Sequence, residues 1–369
     1  MPFLYKPADK KELINLINDP KVSLGDVDTS LITDMSGLFE NTSRSDFSGL
    51  ENWDTSQVTD MSDMFSGAET FNHPVGRWDT SKVVCMKGMF SGASKFNQPI
   101  GNWDTSCVTD MSHMFDSAGR FNQPIGNWNT SHVADMTAMF ANNSAFNQPI
   151  GSWDTSHVTN MAGMFVNNSA FNQPIGNWNT SRVADMTAMF AANSTFNQPI
   201  GSWDTSRVTH MTGMFGCNSV FNQPIDNWDT SSVTDMKCMF AENTAFNQPL
   251  NSWNTSHVTD MSLMFCSANR FNQPLDNWDT SSVKDMSSMF MDAFAFNQDL
   301  SSWNTDSVTN IQNMFCGALS FCNGTENHGF GSWKLPLISD PDQAEHFLAG
   351  AVSFNFTDTE IPEICRRNT

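Results

Sequence analysis

Apolar residues return along this chain with a fixed period. In one representative stretch they stand at Phe121, Ile125, Trp128, Val133, Met136, Met139 and Phe140, and polar residues fill the gaps. Eleven tryptophans, Trp53, Trp78, Trp103, Trp128, Trp153, Trp178, Trp203, Trp228, Trp253, Trp278 and Trp303, follow one another at intervals of 25 residues. Repetition this strict is the mark of one small unit stacked on itself, in which each unit buries its apolar face against its neighbours.

Two periodicities lie inside the unit. From Val133 the apolar residues recur at offsets that share one face of a short helix, with Ser131 as a natural N-cap and Asp135 near the positive end of the helix dipole. The other half, Pro124 to Thr130, is short and marked by Pro and Gly, which predicts a strand around the Trp. The fold class expected is an α/β solenoid of about thirteen coils, each a short parallel strand plus a short helix. A mainly β-solenoid is the alternative. Residues 1–21 read as an N-terminal capping helix, with Leu13, Ile14 and Ile17 inward; residues 22–321 as the repeat; residues 322–369 as a degenerate last repeat and cap. Val27 takes the Trp slot of the first coil and Leu38-Phe39 the Met-Phe slot. After Trp303 the spacing grows through the Cys322–Gly329 insertion to Trp333, and Phe347 to Asn355 still follows the pattern of Met89 to Asn97.

Stacking turns each slot into a ladder. Asn97, Asn122, Asn147 and their successors follow a core Phe, and their amides can tie one coil to the next. Thr55, Thr80, Thr105 and Thr130 stand at the corner and predict turn hydrogen bonds. One acidic slot holds Asp54, Asp79 and Asp104, and a second holds Asp60, Asp110 and Asp135. Such rows could hold calcium, but the glycine-rich nonapeptide of calcium-binding β-rolls is missing, and capping accounts for both.

The chain has 369 residues and a formal charge of −21, although only 15% of residues are charged. An acidic surface repels phosphate backbones, which argues against nucleic acid as a partner. The apolar inventory of 30 Phe, 24 Met and 12 Trp occupies fixed slots, so it reads as core. The eight cysteines show no CxxC pairing and read as free thiols. Cys266 and Cys316 share a slot two coils apart, roughly 10 Å at strand spacing, beyond disulfide reach. No run approaches the roughly 18 apolar residues of a membrane span.

Specificity can be written only where the repeat varies. The residue between Ser and Val reads His132, His157, Arg182 and Arg207 on four successive repeats, with His257 two further on. These five are the candidate partner-binding residues, a basic strip suited to an anionic or acidic protein and strengthened as histidines protonate below pH ~6.5. The bland reading is a solvated polar row. No metal is expected there, because two histidines lack a third ligand; no cofactor is expected anywhere.

The string Phe96-Asn97-Gln98-Pro99-Ile100-Gly101-Asn102-Trp103-Asp104-Thr105-Ser106, followed by Val108-Thr109-Asp110-Met111 and Met114-Phe115, closely resembles the 25-residue repeat of BspA-like leucine-rich-repeat surface proteins. That repeat is also abundant in mycoplasma surface lipoproteins, and the resemblance covers roughly residues 20–355. It implies a leucine-rich-repeat-like right-handed superhelix, a cell-surface or secreted location, and adhesion or host interaction. The first residues, Met1 to Lys6, have no apolar h-region or small-residue cleavage site, which leaves a cytoplasmic location open.

The function expected is therefore a non-enzymatic protein-interaction solenoid, a surface adhesin or host-interaction protein whose partner is a host surface or matrix protein. The alternative is a structural or assembly component, a fibre, coat or scaffold that pairs with itself. An enzyme is the least supported class, since no nucleophile motif and no Gly-rich phosphate loop appears. Ice binding by the Thr row is remote, because only one Thr per coil is regularly spaced.

Overall fold

The structure, a computed structural model, describes residues 3–324, 330, 333–338, 342 and 345–351. They fall into two compact units, one ending at Arg182 and one starting at Val183. Phe354, Asn355, Cys365 and His328 lie outside the described residues, as does most of the expected C-terminal cap.

The N-terminal helix is present and shorter than the sequence predicts. Helix α1 spans Lys10–Ile17 and buries Leu13 and Ile17, while Ile14 stays half-exposed. Its N-cap is Asp9, whose carboxylate accepts the Glu12 amide; the Glu12 carboxylate in turn accepts the Ala8 amide at 2.8 Å. Lys6 and Lys10 tie this cap to the first coil through Asp28 at 2.7 Å and Asp34 at 3.0 Å. Val27 does take the Trp slot, closing a turn on Leu24 as Trp53 does on Leu50.

Among the described residues the coils contain neither the strand around Trp nor the helix after Val133. The segment from Met136 to Asn143 is a run of tight turns. Amides of Met139, Ala141 and Asn143 bond to carbonyls three residues back, Met136, Ala138 and Phe140. The intervening amides of Met136, Ala138, Phe140 and Asn142 leave the coil and bond to the next one, at Asn160, Ala162, Met164 and Val166, with lengths of 2.8–3.1 Å. A helix would direct every amide along its own axis, leaving the coils joined only by side chains. Turns of three residues also place Val133, Met136 and Met139 on one side, which is why the sequence imitates a helical face. The backbone itself rules the helix out: Ala138 and Asn142 have φ of 52° and 53°, left-handed values.

Parallel pairing survives as isolated bridges, Tyr5 with Val27 at the entry and then one residue per coil at the second acidic slot. It joins Asp34, Asp60, Cys85, Asp110, Asp135 and Asn160 in turn in the first unit, and Asp185, His210, Asp235, Asp260, Asp285 and Asn310 in the second. These isolated bridges replace the continuous sheet expected on either the α/β or the mainly β reading.

The core is aromatic. Within a coil Phe115 stacks on Phe121 at 3.9 Å, and between coils Phe115 meets Phe140 at 5.6 Å and Trp103 stacks on Trp128 at 6.4 Å. Each indole is about 95% or more buried, yet its N–H is satisfied by the preceding coil, as Trp128 Nε1 is by the Ile100 carbonyl at 3.2 Å. Trp333 continues this arrangement in the second unit, stacking on Trp303 at 6.4 Å across the longer spacing. Phe347 occupies the slot of Met89, accepting the Phe315 amide at 2.9 Å.

Candidate interaction surface

The recurring Thr and Asn residues hold coil to coil. The buried Thr105 hydroxyl donates to the Asn129 carbonyl of the next coil, and Thr130 to that of Asp154, both at 2.9 Å. Asn97 Oδ1 accepts the backbone amide of Asn122 and the side-chain amide of Gln123, at 3.1 and 3.0 Å. This is the tie the sequence predicts, with a half-buried rather than a buried amide. Another amide row went unread as such: Asn143, Asn168 and Asn218 are fully buried, and their Oδ1 atoms accept the amides of the following Phe146, Phe171 and Phe221 at 3.0 Å.

Both acidic rows are caps, though of turns. Asp104 Oδ1 accepts the Ser106 amide at 3.0 Å, and Asp110 Oδ1 accepts both the amide and the hydroxyl of Ser112. Hydrogen bonds from the Ser hydroxyl, then from the Ser amide, hold Asp79, Asp104, Asp154, Asp204, Asp229 and Asp279 below the usual carboxylate range. Among the described residues no group of three or more His, Cys, Asp or Glu is arranged to hold a metal. Seven cysteines are free, and burial raises the pKa of Cys85, Cys217, Cys238, Cys266 and Cys316, which disfavours their thiolates.

The five predicted partner-binding residues are all exposed. In the first unit His132 and His157 stand ring over ring, 6.5 Å apart and 22° from parallel, and Arg182 makes no hydrogen bond or ion pair. In the second unit Arg207 lies in the field of Asp204, and His257 Nδ1 donates to the Ser231 carbonyl at 2.9 Å. Serines in the same slot reach back likewise: Ser232 to the Ser206 carbonyl at 2.8 Å and Ser282 to that of Ser256 at 2.6 Å.

A second feature escaped the sequence reading. A groove of about 520 Å³ runs over Pro74, Pro99 and Pro124 in the first unit, bordered by Glu51, Gly76, Arg77, Gly101 and Asn102. Two glycines line it. A Cβ on Gly76 or Gly101 would stand 2.3 or 2.5 Å from the carbonyl of Pro99 or Pro124 in the next coil, so no side chain fits. The signal available in the sequence was the break in two slots: Arg77 where later repeats carry Asn or Ser, and His73 where they carry Gln.

The description "Mycoplasma protein of unknown function, DUF285" belongs to a family that matches this chain five times, over residues 11–119, 33–151, 98–200, 167–265 and 242–357. No curated protein matches. Among solved structures, a chain from "Crystal structure of TLR13-ssRNA13 complex" is similar at 10% identity with a TM-score of 0.20. The similarity covers 83% of this chain, which spans about half, 53%, of that one. No helix among the described residues is long and apolar enough to cross a membrane.

Proposed function

We propose that this chain, which belongs to the Mycoplasma DUF285 family, is a non-enzymatic protein-interaction repeat protein that works at the cell surface as an adhesin or host-contact protein. One observation carries the reading. The consensus Thr and Asn groups bond to neighbouring coils, whereas the variable slot carries exposed side chains, among them Arg182, which makes no hydrogen bond or ion pair. Chemistry that is repeated is structural; chemistry that varies is free to meet a partner. The basic members of that slot, His132, His157 and Arg182 in one unit and Arg207 and His257 in the other, fit a protein with an anionic face. The surface location and the leucine-rich-repeat-like winding belong to the same proposal, supported by the repeat's resemblance to BspA-like surface proteins.

The test is binding of the full chain to immobilised matrix and host-surface proteins, at neutral and mildly acid pH. Saturable binding that strengthens as the histidines acquire charge, and weakens in an Arg182→Ser/Arg207→Ser variant, supports the reading. The slot accepts Ser naturally at Ser232 and Ser282, so that variant keeps its fold. Binding that never saturates, or is unchanged in the variant, rejects it. Large ordered assemblies in a native mass measurement would favour the scaffold alternative instead.

A further inference from the structure

The groove over Pro74, Pro99 and Pro124 is set apart by Arg77 on its border, where the coils that follow carry Asn127 and Ser152. Its floor is proline rings and bare glycine backbone, with no exposed aromatic face. Arg77 stands on its rim, exposed and with no hydrogen bond or ion pair. The one carboxylate bordering the groove does not neutralise it. Glu51 is taken by His73 Nε2 at 2.5 Å and by the Gly49 amide at 2.9 Å, and the contact with His73 lowers its pKa below the ordinary value. A free guanidinium therefore borders an apolar trough on a chain of charge −21.

Three points fix the occupant. Rings flanking this corner repeat from coil to coil at 5.6 and 5.8 Å for Phe71, Phe96 and Phe121 and at 6.5 and 6.4 Å for Trp78, Trp103 and Trp128, close to the spacing of alternate residues in a strand. An extended chain presents same-side residues every roughly 6.6 Å, so alternate side chains of a bound strand would meet successive prolines. Arg presents a planar fork matched to carboxylate, and a free one in an apolar setting binds it with charge-assisted hydrogen bonds. Asn102 carries a donor and an acceptor, enough for a peptide backbone crossing the rim. We propose that this groove binds an extended peptide segment of a partner protein, with one carboxylate on Arg77 and apolar side chains two residues apart along Pro99 and Pro124. This assignment rests on the protein-interaction reading and gives it a second, separate contact.

Selection of a displayed library of short random peptides on the full chain tests it, followed by fluorescence anisotropy with the selected peptides. Selected sequences should share an Asp or Glu flanked by apolar residues at alternate positions. Arg77→Gln should weaken binding about tenfold or more. Changing the peptide carboxylate to an amide should do the same, with no further loss when both changes are combined. Asn102→Trp should block the groove without touching the core, and Arg270→Ser, exposed in the second unit and outside both surfaces, should bind as the parent does. Failure to select any peptide, selected peptides without a carboxylate, or equal affinity in Arg77→Gln would overturn the proposal. Self-association abolished by Arg77→Gln would also overturn it, by making a second copy the occupant. Loss of the groove alone, with binding through the Arg182 slot intact, removes this inference and leaves the interaction function standing.

Discussion

The two units build the same corner differently. In the first, Gly76, Gly101, Gly126 and Gly151 let the next coil's proline carbonyl approach so closely that a Cβ would stand 2.3–2.6 Å from it. In the second, after Gly201, the same slot holds Asp226, Asn251, Asp276 and Ser301. There side chains join the coils: Asn251 Nδ2 donates to Asp276 Oδ1 at 2.9 Å, and Asn251 Oδ1 accepts the Asn277 amide at 3.0 Å. Close backbone approach leaves a trough, and a side-chain row fills one. A repeat can thus keep its core constant and still give one stretch of its surface a site.

The comparison predicts where substitutions act alike and where they differ. The aromatic core is common to both units, so Phe115→Ala and Phe265→Ala should each cost about 3–5 kcal/mol in denaturant unfolding. A large difference between them would mean the units are not built alike. At the glycine corner they should diverge. Gly101→Val forces the Pro124 carbonyl away and should cost about 1–3 kcal/mol, whereas Asp226→Val, exposed in the same slot, should stay within about 0.5 kcal/mol. Equal losses would remove the distinction. Asn251→Ala deletes two hydrogen bonds of the polar row and should lower stability by about 1 kcal/mol, read as a fall in melting temperature.

A smaller effect of opposite sign belongs to the turns. Leu263 has φ of 59° where Gly163 and Gly213 stand in other coils. Leu263→Gly should therefore stabilise by about 0.5–1 kcal/mol, and destabilisation would show that the turn is not left-handed in solution. The smallest contribution per residue comes from the serine-capped aspartates shared by both units. Their pKa values are depressed in the folded chain, so the stabilisation is present above the ordinary carboxylate pKa and lost as pH falls below about 4, through the lower folded values. Replacing Asp79, Asp104, Asp204 and Asp229 by Asn, which Asn129 already shows to cap Ser131 at 3.1 Å, should flatten that acid limb.

Much of this architecture was legible because the strongest signals are covalently spaced. The Trp slot, the Phe-Asn ladder, the substitution of Val27 for Trp and the return of the pattern at Trp333 and Phe347 all follow from counting residues. The secondary structure was not legible, for a physical reason. Val133, Met136 and Met139 fall three apart, and period alone cannot separate a helix from consecutive three-residue turns. The left-handed residues that decide the matter, Ala138, Ala188 and Leu263, are types that give no warning of it. The exposed slot of His132, His157 and Arg182 could be read from its variability. The groove could not, since it is defined by missing side chains at Gly76 and Gly101 and by a distance between coils.

Alternate amides leave each coil to join the next, so that the described part of the repeat holds no α-helix. Amide I infrared spectroscopy of the full chain, which the stacked indoles leave undisturbed, tests this most directly. The expected spectrum has a weak helical band, from little more than the eight residues Lys10–Ile17, under a dominant signal of turns and short parallel pairing. A strong helical band, such as a helix in every coil would produce, would contradict it.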